Sequence, residues 1–215
     1  MSQSFLGTLL SFMQNRNAKG CLFLGPPGAA KSAIAKACGN TGGIPTLSFD
    51  LGGMKSSLVG ESETRLRQAL GVVDAVSQGR ALFLATCNSV QTLSPELRRR
   101  FEATFFFDLP DAEERAVIWD IYVDRYGLTE RKYFLPEDTG WTGAEIKGCC
   151  ELAYRLDCSL SEASDYIVPV SRSAADSVEA LRTQAQGRFL SASSSGLYDR
   201  NREGLNKSGR AFQRE

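Results

Sequence analysis

The chain has 215 residues, 42% of them hydrophobic, with 25 basic and 25 acidic side chains and no histidine. Zero formal charge gives no sign of a nucleic-acid or membrane surface, and the lack of histidine removes imidazole catalysis and most zinc sites. Six cysteines without Cys-x-x-Cys spacing read as reduced, buried thiols of a cytoplasmic protein, and no apolar run approaches the length of a membrane span.

Residues 4–15 predict a short amphipathic helix with Phe5, Leu9, Phe12 and Met13 on one face, so residues 1–17 form an N-terminal helix and linker. The apolar run 21–24 reads as a strand. Directly after it stand Gly25, Pro26, Pro27, Gly28, Ala29, Ala30, Lys31 and Ser32, followed by the helix formers of 33–37. A strand feeding such a loop and helix is a phosphate-binding arrangement. Small residues let successive N–H groups curl around a β-phosphate, and the helix aims its positive end at the anion. Lys31 would reach the β- and γ-phosphates, and the Ser32 hydroxyl would ligate Mg²⁺. One position departs from Gly-x-x-x-x-Gly-Lys-Ser/Thr: Ala30 replaces the second glycine. Alanine keeps its N–H, but at positive φ its side chain would cost roughly 1–2 kcal/mol.

Residues 44–49 predict a second strand, with Pro45 near its start, and 50–60 a glycine-punctuated loop. Apolar residues recur at three and four from Glu61 to about Val76, which predicts a helix. Residues 81–85 read as a buried strand closing toward Asn88, 95–101 as a basic helical turn, and 103–107 as another strand. From Asp111 the pattern is helical. Asp111 with Glu114, Thr142 with Glu145 and Ser159 with Glu162 have capping-box spacing, starting helices near 112–126, 143–157 and 160–168. Pro169 stops the third, and a fourth is expected over about 173–189. The expected organisation is an α/β domain at 18–110, a helical domain at 111–190 and a flexible tail at 191–215.

This order of elements resembles the AAA+ ATPases over residues 18–190. The resemblance implies an α/β fold, a P-loop NTPase-type three-layer sandwich with a parallel sheet and a C-terminal all-α lid. It implies that Asn88 is sensor 1, which orients the attacking water, and that Arg99 or Arg100 is the finger that reaches a neighbouring subunit's nucleotide. Trp141 to Ile146 is similar to the family's Gly-Ala motif, placing Gly143 and Ala144 beside adenine. Residues 55–63 look like the substrate-gripping pore loop, with Leu58, Val59 and Gly60 at the tip and Leu58 where many members carry an aromatic ring. ATP and Mg²⁺ are the implied ligands. The implied partners are further copies of the chain, in a ring or open spiral such as a hexamer, and a protein substrate.

One family feature is missing. Four apolar residues followed by Asp-Glu should lie between the helix at 61–76 and the strand that ends at Asn88. Only residues 71–79 separate the two, and they are too few for a strand, an acidic loop and a further helix. Asp74 follows Val72 and Val73, but Ala75 holds the Glu position and the apolar spacing there is helical. Asp50, Glu61 and Glu63 are the other nearby carboxylates. The sheet is therefore expected to be shortened to about four strands. Two functions are compatible with this sequence: a ring-forming ATPase that remodels a partner protein, and a nucleotide-gated assembly module with little hydrolysis.

Overall fold

The computed structural model describes residues 20–42, 46–50, 68, 71–72, 75, 82–89, 99, 101–128 and 134–201. Four strands, β1 (Cys21–Leu24), β2 (Thr46–Asp50), β3 (Leu82–Cys87) and β4 (Ala103–Phe106), lie parallel in one sheet. A fifth, β5 (Leu190–Ser191), extends it, giving the order β2-β3-β1-β4-β5. The expectation of about four strands thus needs one correction: the chain returns after the helices and adds two residues beside β4. Among the described residues no strand lies between β2 and β3, which pair directly from Thr46 with Leu82 to Asp50 with Thr86.

Alternation along the strands divides the core between the two faces of the sheet. Leu22, Leu24, Ala85, Cys87 and Phe106 pack on one face with Leu181, Ala185 and Tyr198. Cys21, Phe23, Leu84 and Phe105 pack on the other with Ala35 and Cys38 of helix α1 (Lys31–Gly42). The third layer of the sandwich comes from the last helix, which the sequence had suggested as part of the lid.

Helices α2 (Ala112–Arg125), α3 (Gly143–Leu156) and α4 (Leu160–Ser164) follow, and all three start at the capping boxes read from the sequence. Trp119, Val123, Trp141, Ile146 and Leu160 form their shared core with Cys149 and Cys150. The helix expected over 173–189 is α6 (Ala175–Ala185), shorter than expected and preceded across Ala174 by the short α5 (Val170–Ser173). Glu145 holds the start of α5. Its carboxylate accepts the Thr142 N–H at 2.6 Å and also the Val170 N–H, so one side chain fixes the starts of α3 and α5.

The tail expected from residue 191 starts later. Ala192 N–H donates to the Phe106 carbonyl at 3.0 Å, and Tyr198 is buried against Phe106 with ring centroids 4.5 Å apart. Its hydroxyl donates to Asp108 at 2.7 Å, and the Arg182 Nε donates to the same carboxylate at 2.8 Å. These bonds tie α6 and the returning chain to the end of β4.

All six cysteines are free thiols, five of them buried, as the cysteine spacing suggested. Burial first, then the nearby Glu102 and Cys38, pushes the Cys21 thiol up to about 12. Burial and the neighbouring Cys150 and Cys158 push Cys149 to about 12, and burial pushes Cys150 to about 11. Such thiols stay protonated and unreactive at neutral pH. The expected N-terminal helix and the segment at 51–67 lie outside the described residues, whereas Gln68, Gly71, Val72 and Ala75 are helical.

Candidate nucleotide site

The site starts at the carboxyl end of β1. Leu24 is flanked by Cys87 on β3 and Phe106 on β4, and the next turn is held from both sides. Gly25 N–H donates to the Cys87 carbonyl at 3.3 Å, and Phe107 N–H donates to the Leu24 carbonyl at 2.7 Å. Close approach explains the glycine: a Cβ on Gly25 would stand 2.1 Å from the Phe107 carbonyl oxygen. Pro26 is buried and Pro27 exposed. Ala29 is buried against the α1 face of the sheet and anchors the middle of the loop.

Gly28 has φ +80, and a Cβ there would lie 2.6 Å from Thr142 Oγ1 and 3.1 Å from the Ala144 Cβ. The loop therefore touches the first turn of α3, where Gly143 and Ala144 lie, and the two segments expected at the nucleotide are neighbours. Thr142 was read as a helix cap within the stretch that resembles the Gly-Ala motif. It is buried, its hydroxyl accepts the Glu145 N–H, and it forms the wall against which Gly28 rests.

Ala30 adopts φ +59, the left-handed region that glycine occupies without penalty. Its carbonyl accepts the Ile34 N–H at 2.9 Å and so opens α1. The substitution has kept the glycine-like backbone and bears the steric cost, which its exposed position does nothing to offset. Lys31 is buried, and its ammonium donates to the carbonyls of Gly25 at 2.8 Å and Pro26 at 2.7 Å. The side chain thus curls back along the loop. Ser32 is exposed in the first turn of α1.

Asn88 is exposed in the bend that follows β3, one residue past the Cys87 level and therefore beside the root of the loop. Arg99 is exposed in a turn. Arg100, the pore-loop residues Leu58, Val59 and Gly60, and the carboxylates Glu61, Glu63 and Asp74 lie outside the described residues. No group of three or more His, Cys, Asp and Glu among the described residues could hold a metal. A divalent ion here would rest on few protein ligands, the Ser32 hydroxyl among them, together with phosphate oxygens. That donor set suits Mg²⁺, which keeps several waters.

Residues 21–77 match the sequence model of the ATPase family associated with various cellular activities, AAA. The chain is 32% identical over 175 residues to an uncharacterised AAA domain-containing protein, ycf46, of Gracilaria tenuistipitata var. liui, covering 60% of this chain and 36% of that protein. It is 29% identical over 183 residues to the human ATPase family AAA domain-containing protein 2, covering 61% of this chain and 13% of that one. Over these stretches the chain is similar to the AAA ATPases.

Solved AAA structures share its fold. The FIGL-1 AAA domain superimposes with a TM-score of 0.53 at 20% identity, covering 78% of this chain and 77% of that one. A structure of katanin, solved for the basis of its self-assembly, gives 0.58 at 18% identity, covering 84% and 87%. The chain spans about a third of the length of the ycf46 proteins it matches. The 175 aligned positions draw on only 60% of its residues, so the Gracilaria protein holds several dozen positions in the matched stretch that this chain lacks.

Proposed function

We propose that this AAA+ chain binds Mg-ATP between the phosphate loop and the first turn of α3, and that the bound nucleotide drives self-assembly coupled to remodelling of a partner protein. The observation that carries the reading is the contact of Gly28 with Thr142 and Ala144, with the Lys31 ammonium folded along the same loop. A phosphate chain seated on the loop would be offered backbone N–H groups and the Lys31 charge, while α3 closes over the base. Lys31 would exchange its two loop carbonyls for phosphate oxygens, a change of partner within one buried pocket. Gly25 through Ser32 would hold the phosphates, Ser32 the Mg²⁺, and Gly143 and Ala144 the adenine. Asn88 would orient the attacking water.

Assembly is supported by exposed groups. Arg99 is exposed, as a residue acting on a neighbouring subunit must be, with Arg100 as the alternative finger. Val117 and Ile121, one turn apart on α2, are 58% and 55% exposed, and Tyr154 on α3 is 61% exposed, an apolar surface suited to a second copy. Katanin, whose fold this chain shares, self-assembles. The pore-loop role of Leu58, Val59 and Gly60 belongs to the same reading. A cytoplasmic setting fits the free thiols, and no described helix is long and apolar enough to cross a membrane.

A second reading, assembly without efficient turnover, is favoured by the direct pairing of β2 with β3, which leaves no acidic strand between them. Phosphate release from saturating Mg-ATP separates the two, with Lys31→Ala as the blank. Turnover above the blank supports the ATPase, and none supports the assembly module. Sedimentation with and without Mg-ATP tests assembly itself. Nucleotide-dependent oligomers are expected, and a monomer in both conditions would refute the assembly claim.

A further inference from the structure

The loop from Gly25 is touched at two points by segments that one ion pair joins. At Gly25 it lies against the Phe107 carbonyl, and the chain runs on from there through Pro110 into α2. At Gly28 it lies against Thr142 and Ala144, where α3 begins. Arg115 and Asp138 connect these two segments. Arg115, on α2, donates from a terminal nitrogen to the Pro110 carbonyl at 2.9 Å, and its Nε stands 3.0 Å from the Asp138 carboxylate. That Nε has no hydrogen-bond acceptor in suitable geometry, so its attraction to Asp138 is one of charge. The other Asp138 oxygen accepts the Trp119 Nε1–H at 2.8 Å, and the Asp138 carbonyl accepts the Trp141 N–H at 2.9 Å. Trp141 is buried, with its ring centroid 6.1 Å from that of Trp119, and Thr142 is the next residue.

These contacts form a circuit that leaves the loop at Gly25 and returns to it at Gly28. Asp138 is where its α2 side and its α3 side meet, and it acts on the loop through Trp141 and Thr142. The Arg115 and Asp138 side chains are only 12% and 21% exposed, so removing one charge leaves the other poorly solvated. The capping box of Thr142 and Glu145 is closed within α3 itself. Loss of the ion pair therefore leaves the helix formed and frees its start to shift against Gly28.

Resting on the nucleotide site proposed above, we infer that Asp138 is a positioning residue for ATP: paired with Arg115, it holds the start of α3 against the phosphate loop and so sets nucleotide affinity. ATP is titrated calorimetrically with Mg²⁺ into wild type, Asp138→Asn, Arg115→Gln, the double variant and Ser159→Ala, with Lys31→Ala as the blank. Urea denaturation of each protein reports its stability separately. Asp138→Asn keeps an oxygen acceptor for Trp119 and loses the charge. It is expected to weaken ATP binding roughly tenfold, the order seen when a partner that orients a binding group is removed. Arg115→Gln should lose a like factor, and the double variant no more than either single one, because the two residues act as a unit. Ser159→Ala loosens the same lid through the cap of α4 and should leave affinity unchanged. Wild-type affinity in folded Asp138→Asn would overturn the inference and leave the nucleotide site standing. So would an equal loss in Ser159→Ala, which marks general lid stability, or losses that multiply in the double variant. Should Asp138→Asn not fold, Arg115→Gln decides, and wild-type affinity there overturns the inference equally. Wild type that binds no better than Lys31→Ala would overturn the site, and the inference with it.

Discussion

The helical lid and the phosphate loop both begin helices, and they treat the orphan N–H groups there in opposite ways. At α2, α3 and α4 a side chain three residues upstream takes up an N–H, and a glutamate reaches back to complete the box. Each of these starts is built from four consecutive residues. At α1 the preceding residue is Ala30, which has no side-chain acceptor and sits at φ +59. What shapes this loop is remote: the Phe107 carbonyl above Gly25 and Thr142 against Gly28. The difference is that a start meant only to stabilise is closed locally. On the proposed nucleotide reading, the start at α1 leaves backbone donors to the ligand and is shaped by its neighbours instead.

The largest effect should come from the loop. Gly25→Ala places a methyl group 2.1 Å from a backbone oxygen that cannot step aside. A loss of about 3 kcal/mol is expected, at the upper end for overpacking, read by urea denaturation. A loss below about 0.5 kcal/mol would break the claim that remote backbone shapes this turn. Glu145→Ala, on the lid side, removes the acceptor of both Thr142 N–H and Val170 N–H. It should cost about 1–2 kcal/mol by the usual worth of a cap, chiefly in the lid's unfolding, with α5 losing amide protection alongside α3.

Ala30→Gly runs the other way. Relief of the left-handed penalty less the added chain entropy of glycine gives a gain of about 0.5–1 kcal/mol, seen as a higher Tm. A fall in Tm would mean that the loop does not hold Ala30 at positive φ. The mildest test is alkaline titration. Cys21, Cys149 and Cys150 have raised pKa values, so their contribution is full below the unfolded thiol value near 8.5. Stability should therefore fall progressively as pH rises from about 9 toward 12, and replacing Cys149 by Ala should flatten that slope. A slope identical to wild type would contradict the burial of that thiol.

The comparison also explains what the residues revealed and what they hid. Capping boxes are local, so the starts of α2, α3 and α4 were legible to the residue, and β1 was legible from its apolar run. The turn from Gly25 to Ala30 and the helix after it were legible because their signals are contiguous in the chain. The short α5 was not, because its start is held by Glu145 from 25 residues away along the chain. Nor was the return of the chain to β4, which is held by Asp108 to Arg182 and Tyr198 across 74 and 90 residues. Ala30 was read as a departure whose meaning hung on one dihedral angle. Only the fold supplies its sign.

The central claim is that the loop from Gly25 to Ser32, walled by Thr142, is where ATP binds. Equilibrium titration with a fluorescent ATP analogue in Mg²⁺, comparing wild type with Lys31→Ala, tests it most directly. Saturable binding at one site per chain is expected for wild type, displaced by unlabelled ATP and lost in the folded variant. Equal binding by both proteins, or none by either, would contradict the account.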